Sequence, residues 1–293
     1  MKRYVWLIEL LSRNGKMSYQ QIASAWKCSS LNDEMTSLSE RTLYNHRQKI
    51  AMEFGVEIAC DKGSNCYYIE NPEVLKRNPL LGYIIANFQL EHMLLDYVDI
   101  SDKILVEDVP SGRTWLKSIL DAMRSNLEIE FDYRSFFGHA SKVVLKPLCV
   151  KLFKRRWYVT GETPEKEIYN YGLDRIQSLL VTARTFTYPH EFSPTKYFQN
   201  FYGIYAWKNS FPEQIVIRAY DEKPDYLRSL PLHHTQKELN STLQYTDFSL
   251  CLTPTFEFIQ ELFLHRDQIE VLEPELLRMQ IKEFAKKIVS RYD

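Results

Sequence analysis

The sequence lacks the features that mark several well-defined classes of protein. Its 293 residues include five cysteines, with no Cys-x-x-Cys pair and no Cys/His cluster, so neither a disulfide framework nor a zinc site is indicated. Nine glycines and twelve prolines are too few for a low-complexity chain. No apolar run approaches the roughly 18 residues of a membrane span, and the N-terminal stretch, interrupted by Glu9 and Arg13, makes a poor signal peptide. We therefore expect a cytoplasmic protein with no membrane partner.

Catalytic signatures are missing as well. The sequence contains no Walker-type Gly-rich loop, no His-Glu-x-x-His and no Gly-x-Ser-x-Gly. The His233-His234 pair and the acidic residues between Glu257 and Glu261 are distant in sequence from the basic segment described below. We expect a protein that is not an enzyme and that needs no cofactor or metal; an enzyme acting on nucleotides is the alternative.

Charge of one sign is not in excess over the whole chain. Lys and Arg number 37 and Asp and Glu 38, for a net charge of −1, so any surface for nucleic acid must be local. Hydrophobic residues make up 45% of the chain, which is enough to fill several cores, and the length suits two or three domains. We expect a multidomain α+β protein.

The first 70 residues carry the pattern of three short helices followed by a hairpin. Ser18 and Ser39 stand where helix N-caps are expected, and the third helix should run to about Phe54, ahead of a glycine. Residues 56–71 then form two alternating segments around a Gly-containing turn, as a β-hairpin does. Together these elements predict a winged helix-turn-helix domain over residues 1–71.

The third helix would be the reading helix of such a domain. Leu43 and Ile50 face inward, and the opposite side is polar, with side chains of the kinds that bind phosphates and base edges. We therefore expect binding to double-stranded operator DNA. The candidate DNA-binding residues are Ser39, Arg41, Thr42, Tyr44, Asn45, Gln48 and Lys49. The alternative is a winged helix used only for dimerisation or partner contact, because residues 1–70 are nearly neutral.

The middle of the chain changes from a helical period to a strand period. Residues 72–113 are mostly helical by pattern and predict a helical connector. A further amphipathic helix follows, whose inward side chains are predicted to be Trp115, Ile119, Leu120 and Met123. The stretch LEIEFDY then alternates strictly, and four more short strands come after it. A helix and five strands with short turns predict a small SH3/Sm-like β-barrel over residues 114–206.

The last part of the chain has another order of elements. Strand and helix patterns alternate as β-α-β-β-α-β, and a closing amphipathic helix begins at Pro274. This order predicts a ferredoxin-like C-terminal domain over residues 207–293, with one added helix.

A local excess of positive charge lies inside the predicted barrel. Seven Lys and Arg occur between Arg134 and Gly161, with no acidic residue among them to offset the charge. Within RRWYVT, strand alternation places Arg156 and Tyr158 on one face and Trp157 in the core. An arginine beside an aromatic ring suits a phosphate with a stacked base. The alternative is a solvated strand edge whose lysines deter strand pairing.

The same residues resemble the WYL domain, a family named for a Trp-Tyr-Leu motif that stands here as Trp157-Tyr158-Val159. The resemblance covers residues 114–190 and includes an opening strand ending in Tyr (IEFDYRS), a strand running into Pro (VVLKP) and the triplet Asp174-Arg175-Ile176. The C-terminal part, with QIEVLEPELLR, is similar to the extension that often follows such domains. The N-terminal winged helix completes the usual layout of bacterial WYL transcriptional regulators.

The resemblance implies a dimeric, ligand-sensing transcription factor whose WYL barrel binds an anionic effector, either a nucleotide or single-stranded nucleic acid. The effector-binding candidates are Tyr133, Arg134, Ser135, Arg156, Tyr158 and Arg175, with Lys146 added from its charge alone. The family often carries Arg in the strand before Asp-Arg-Ile, where this chain has Tyr169 and Gly172, so we expect a more aromatic pocket. The alternative function is an adaptor that uses the barrel to bind another protein.

Overall fold

The structure, a computed structural model, describes residues 2–29, 31–32, 35–95, 98–105, 112–136, 138–205 and 210–293. The chain divides into two compact units, Met1–Glu107 and Asp108–Asp293. Helices and antiparallel sheets occur in both units, which confirms the expected multidomain architecture of mixed α and β structure. The predicted domain boundary between residues 206 and 207 lies outside the described residues.

The first unit begins with three helices and a short strand. They are α1 (Lys2–Asn14), β1 (Met17–Ser18), α2 (Tyr19–Lys27) and α3 (Glu40–Phe54). Both predicted N-caps are present: the Ser18 hydroxyl accepts a hydrogen bond from the Gln21 N–H, and the Ser39 hydroxyl accepts one from the Thr42 N–H. Gly55 ends α3 in the left-handed conformation, with a φ of 66°.

A hairpin and two more helices complete the first unit. They are β2 (Ile58–Asp61), β3 (Cys66–Ile69), α4 (Glu73–Arg77) and α5 (Pro79–Leu95), followed by a 3-10 segment over Val98–Lys103. The three strands form one sheet in the order β1-β3-β2. The core is continuous from α1 to α5, because Leu81 and Ile85 are buried in the same cluster as Leu7, Trp26 and Leu43.

The second unit begins with a helix and a five-stranded antiparallel sheet. They are α6 (Arg113–Arg124), β4 (Leu127–Arg134), β5 (Ala140–Phe153), β6 (Arg156–Glu162), β7 (Ile168–Gly172) and β8 (Ile176–Thr185). The strand order is β7-β6-β5-β4-β8. The predicted alternation of β4 is confirmed, because Ile129, Phe131 and Tyr133 are buried.

One prediction for α6 is wrong. Leu120, expected to face inward, is 44% exposed, whereas Ile119 and Ala122 are buried against the sheet. One residue along an α-helix turns the side chain by about 100°. The stripe that covers the sheet is therefore centred on Ile119, and Trp115 at its edge donates a hydrogen bond from Nε1 to the Ile176 carbonyl (3.0 Å).

The remainder of the second unit holds a four-stranded sheet. Its elements are α7 (Pro194–Phe198), β9 (Glu213–Tyr220), α8 (Lys223–Ser229), β10 (Lys237–Ser241), β11 (Tyr245–Leu252), α9 (Phe256–Leu264), β12 (Ile269–Glu273) and α10 (Glu275–Val289). From β9 onward this is the predicted β-α-β-β-α-β order with an added helix, and the sheet order is β10-β11-β9-β12. Residues 199–205, between α7 and β9, will be called the linker.

His233 differs from the surface position that paired histidines usually take. It is 9% exposed, its Nε2 lies 3.0 Å from the Gln199 carbonyl oxygen, and burial lowers its pKa. It therefore helps to hold the linker in place.

The described part of the chain holds no group of three or more His, Cys, Asp or Glu side chains suited to a metal ion. None of the described helices is long and apolar enough to cross a membrane.

Candidate functional site

The predicted DNA-binding residues lie on the side of α3 that faces away from the core. Leu43 and Ile50 are buried, and the helix is fixed through them. The side chains exposed on the other face are Arg41, Tyr44, Asn45, Gln48 and Lys49. They form a continuous polar surface along slightly more than about two turns of helix, with cations, amides and one phenol available for hydrogen bonding.

Two of the predicted residues also have a structural role at the start of α3. The Ser39 hydroxyl lies 2.8 Å from the Thr42 hydroxyl and 3.1 Å from the Thr42 backbone nitrogen. This is the N-cap of the helix, so Ser39 contributes to helix stability whatever else it contacts. The first-turn N–H groups and the exposed Arg41 lie at the same end of the helix.

Residues outside the predicted set connect α3 to the hairpin. Arg47 donates from Nε to the Ile58 carbonyl (2.7 Å), and its guanidinium lies 5.1 Å from the centre of the Tyr67 ring. At the hairpin tip Lys62 is exposed, beside an ion pair of 2.8 Å between Lys16 and Asp61 that lowers the pKa of Asp61. The sequence analysis did not select Lys62. A lysine in a Gly-containing turn is visible in the sequence, however, and it is a further candidate for a phosphate contact.

Four of the seven predicted effector residues lie near the place where β6 meets the turn before β8. Arg156 projects from β6, and Asp174 and Arg175 lie in a 3-10 turn over Leu173–Arg175. Arg156 Nη1 is 3.0 Å from Asp174 Oδ2, and Arg175 Nε is 3.8 Å from Asp174 Oδ1. Two guanidinium groups thus share one carboxylate.

Aromatic rings surround the two arginines. The Arg175 guanidinium lies 4.4 Å from the centre of the Phe136 ring and 5.3 Å from that of Tyr133, and Arg156 lies 5.7 Å from Phe136. Phe136 is 71% exposed, whereas Tyr133 is buried and accepts a hydrogen bond from the Gly172 N–H (3.3 Å). We call Tyr133, Phe136, Arg156, Asp174 and Arg175 the arginine cluster. The sequence analysis did not select Phe136, which follows β4 in the hairpin loop.

Tyr158 belongs to the same neighbourhood. Burial raises the pKa of its phenol, while the positive charge of Arg175 opposes that shift and the negative charge of Asp174 adds to it. The pKa of Tyr133 is raised by burial in the same way, against Arg175. Both phenols therefore remain neutral at physiological pH and can act as hydrogen-bond donors.

Gly172 explains how Arg175 fits so close to the sheet. A Cβ atom at this position would lie 2.5 Å from Arg175 Nη2 and 2.6 Å from Asp174 Oδ1. Any larger residue would force one of the two side chains to move. The glycine in the strand before Asp-Arg-Ile is thus part of the geometry of the cluster, and Tyr171 beside it supplies a ring 5.0 Å from that of Tyr133.

Three predicted effector residues lie outside this group. Lys146 forms an ion pair with Glu162 (2.8 Å), the Ser135 hydroxyl accepts from the His139 N–H in the hairpin loop, and Arg134 is exposed at the end of β4. The described contacts therefore place Arg156, Arg175 and Tyr133 together, and Tyr158, two residues from Arg156 on β6, interacts electrostatically with both arginines. They do not bring Lys146, Ser135 or Arg134 into that group.

The expectation that no acid offsets the basic segment is wrong. Folding brings carboxylates from outside the segment against it: the pairs are Arg156–Asp174, Lys146–Glu162, Lys142–Glu130 and Lys154–Glu261. Glu130 lies on β4, the neighbour of β5 in the sheet, whereas Glu261 lies on α9, 107 residues from Lys154 along the chain. The positive field is thus narrower than the run of basic residues indicated.

A buried carboxylate holds the linker close to this region. Glu257, at the start of α9, accepts hydrogen bonds from the N–H groups of Ile204 (2.7 Å) and Tyr205 (2.9 Å) through one oxygen. Lys151 of β5 donates to the Gly203 carbonyl (2.6 Å), and Asn170 of β7 donates to the Ile204 carbonyl (2.6 Å). Burial raises the pKa of Glu257 and lowers that of Lys151. We call these contacts the linker clamp.

Only a glycine fits at position 203 in the linker clamp. Its φ is +92°, a left-handed conformation that other residues rarely adopt, and a Cβ atom there would overlap the Glu257 carboxylate. The linker thus passes between the five-stranded sheet and α9 at contact distance from both. β6, which carries Arg156, is connected to the clamp through the hydrogen bond that the Thr160 hydroxyl donates to the Asn170 side chain (2.6 Å).

Residues 114–181 match the family model of the WYL domain. The match covers α6, β4–β7 and most of β8, and with them every residue of the arginine cluster. This segment of the chain is therefore a WYL domain, which confirms the resemblance expected from the Trp157-Tyr158-Val159 motif.

The other comparisons are weaker. Among solved structures, proteasome accessory factor B/C of Arthrobacter aurescens is similar at 16% identity and a TM-score of 0.37, over 96% of this chain and 45% of that one. A protein described as a CRISPR Cas-related protein is similar at 10% identity and a TM-score of 0.43, over 99% and 84%. The chain thus spans less than half the length of the first of these relatives. No curated protein matches the sequence.

Replacing Glu257 with Ala should destabilise the second unit. The change leaves the buried N–H group of Ile204 and the partly buried N–H group of Tyr205 without an acceptor, and it removes the charge facing Lys151. We expect a loss of about 2–4 kcal/mol in the free energy of unfolding, measured by denaturant titration with circular dichroism. The control is Glu283→Ala on α10, an exposed acid paired only at the surface, which should change stability by less than about 0.5 kcal/mol. Equal effects of the two substitutions would contradict the assigned role of Glu257.

Proposed function

We propose that this protein is a ligand-responsive, DNA-binding transcriptional regulator that is not an enzyme. Residues 1–71 act as a winged helix-turn-helix that reads double-stranded operator DNA, and the WYL domain senses an anionic effector, either a nucleotide or single-stranded nucleic acid. The observation that carries the proposal is the arginine cluster, in which two guanidinium groups meet beside an exposed phenylalanine.

The architecture of the first unit supports the DNA-binding part. Three helices precede a hairpin, and β1, before α2, pairs with the hairpin strand β3, an arrangement that suits a winged helix. Arg41 and Lys49 can bind phosphates, and Asn45 and Gln48 are the residue types that pair with adenine in the major groove. Lys62 at the hairpin tip supplies a further phosphate contact from the wing.

The five-stranded sheet supports the sensor part. Four strands follow one another as neighbours, and β8 returns to pair with β4, a connectivity that suits a small SH3/Sm-like barrel. We assign residues 72–113 to a helical connector, 114–206 to this barrel with its linker, and 207–293 to a ferredoxin-like C-terminal domain. The barrel places Arg156 and Arg175 on one surface, where planar guanidinium groups suit phosphate oxygens and Phe136 suits a base.

The linker clamp supports a route from the effector to the rest of the protein. An effector that binds better to one arrangement of the linker shifts the population toward that arrangement. In a homodimer such a shift changes the spacing of two winged helices. The apolar groove between α9 and α10, about 1090 Å³ in volume and bordered by Phe256, Phe263, Phe284 and Ile288, supports association through the C-terminal domain.

The triple substitution Arg41→Ala, Asn45→Ala and Lys49→Ala should abolish selection of an operator. Wild-type protein incubated with a random duplex library should enrich a sequence motif. The variant should bind that motif on the order of 100-fold more weakly, because it loses phosphate and base contacts together. Fluorescence anisotropy at two salt concentrations measures the loss.

The control for this experiment is Lys76→Ala with Arg77→Ala, which removes two exposed cations from α4 in the same unit. It should retain the motif and most of the affinity. If the triple variant remains folded and enriches the same motif as the wild type, α3 is not the reading helix. If the wild type itself enriches no motif, the adaptor function is favoured.

The double substitution Arg156→Ala and Arg175→Ala should remove anion binding. We expect the affinity for a labelled single-stranded oligothymidylate, or for ADP, to fall more than about tenfold. The slope of log affinity against log salt should fall by about one, because phosphate contacts are lost. Fluorescence anisotropy and isothermal titration calorimetry measure the two probes.

Two further variants distinguish the loss of the anion site from misfolding and from a general effect of charge. Arg156→Lys with Arg175→Lys keeps both charges and should bind with intermediate affinity, since the planar fork is lost. Lys117→Ala with Arg124→Ala removes two exposed cations from α6 and should bind like the wild type. Equal binding by the wild type and the double Ala variant would place the anion site elsewhere. No binding of either probe to the wild type would contradict anion sensing.

A further inference from the structure

Asp174 occupies the place between the two arginines where an anion would bind. Its side chain is 8% exposed, and it faces Arg156 (36% exposed) on one side and Arg175 (18% exposed) on the other. Oδ2 accepts a hydrogen bond from Arg156 Nη1 at 3.0 Å. A carboxylate in this position imitates the charge and the oxygen geometry of a phosphate.

The contact with Arg175 is incomplete. Oδ1 of Asp174 and Nε of Arg175 are both buried, and neither has a hydrogen-bond partner within the described residues. The two atoms are 3.8 Å apart, which is too far for a hydrogen bond. Buried polar atoms of this kind are rare in folded proteins because an unmade hydrogen bond is costly. The cluster therefore retains a donor that a better-placed oxygen could satisfy.

The backbone of the turn is tightly packed, so the side chains are the parts that can rearrange. Gly112, at the start of α6, lies so close that a Cβ atom there would be 2.5 Å from the Asp174 nitrogen. Gly172 on the other side leaves no spare volume beside Arg175. An entering anion must therefore compete for the guanidinium donors by displacing the Asp174 carboxylate, rather than by moving the turn.

We propose that Asp174 is a built-in competitor that sets the affinity of the effector site, a role that rests on the anion-sensing function proposed above. In the absence of effector it neutralises one of the two arginine charges and holds Arg156 in place. An effector takes over the Arg156 hydrogen bond and supplies an oxygen to Arg175 Nε. The site then responds only to anions that bind both guanidinium groups better than one carboxylate does.

The test is Asp174→Asn, which keeps the shape of the side chain and removes its charge. We expect the labelled oligothymidylate or ADP to bind about tenfold more tightly at fixed salt, which corresponds to about 1.4 kcal/mol. The salt slope should become steeper by about one, because both arginines then release solvent counterions when the probe binds. A purely structural role for Asp174 would not produce this change in slope.

The matched control is Glu162→Gln, which removes one negative charge from the same domain at the ion pair with Lys146. It should leave both the affinity and the slope unchanged. If Asp174→Asn binds the probe equally or more weakly while the Arg156→Ala/Arg175→Ala variant fails to bind, the anion site stands and the competitor role is overturned. An equal gain in Glu162→Gln and Asp174→Asn would also overturn it, since the effect would then be one of net charge. If no variant binds either probe, the proposed anion sensing itself fails.

Discussion

The contact on which the proposed effector site depends is the sharing of the Asp174 carboxylate by Arg156 and Arg175. Two guanidinium groups at close range repel each other, and a partly buried site cannot hold them together without a counter-charge. The carboxylate supplies that charge, Gly172 supplies the space, and the rings of Tyr133 and Phe136 cover the arginine faces. The end of β4 with the loop after it, strand β6 and the 3-10 turn before β8 are thereby held around the Asp174 carboxylate.

Hydrogen bonds also connect the arginine cluster to α9, in the C-terminal part of the second unit. β6 carries Arg156 toward the arginine cluster and also carries Thr160, whose hydroxyl donates to the Asn170 side chain (2.6 Å). Asn170 in turn holds the Ile204 carbonyl of the linker, and Glu257 of α9 holds the adjacent N–H groups. A short chain of hydrogen bonds therefore leads from the strand that presents the arginine to the helix that begins the C-terminal core. This proximity is the structural basis for the proposed response to an effector.

Sequence patterns predicted the parts of the fold that local interactions determine. The Ser18 and Ser39 caps, the Gly55 end of α3 and the alternation of β4 each depend on residues a few positions apart, and all are confirmed. The error at Leu120 has a non-local cause, because a helix has several apolar side chains and only packing against the sheet selects which stripe is covered. The winged-helix and barrel assignments and the predicted domain boundaries remain predictions.

The candidate site was less predictable because its contacts are non-local. The sequence predicts Arg156 and Arg175 as effector-binding residues. It gives Asp174 only as part of the Asp-Arg-Ile triplet and does not reveal that this residue is their counter-ion. The sequence alone does not show that the positive charge of the basic segment is partly neutralised, because Glu162, Glu257 and Glu261 lie close to its lysines only in the folded chain. Phe136 follows β4 without any periodic signal, and only the geometry of the hairpin brings its ring above Arg175.

Hydrogen–deuterium exchange of the full chain, with and without a saturating concentration of the tighter-binding probe, locates the anion site on the molecule. We expect slower exchange in residues 133–136, 156–158 and 172–175 on binding, together with altered exchange in the linker at 203–205. Protection confined to the groove between α9 and α10, or to the first unit, would contradict this expectation. In that case the anion would bind somewhere other than the arginine cluster.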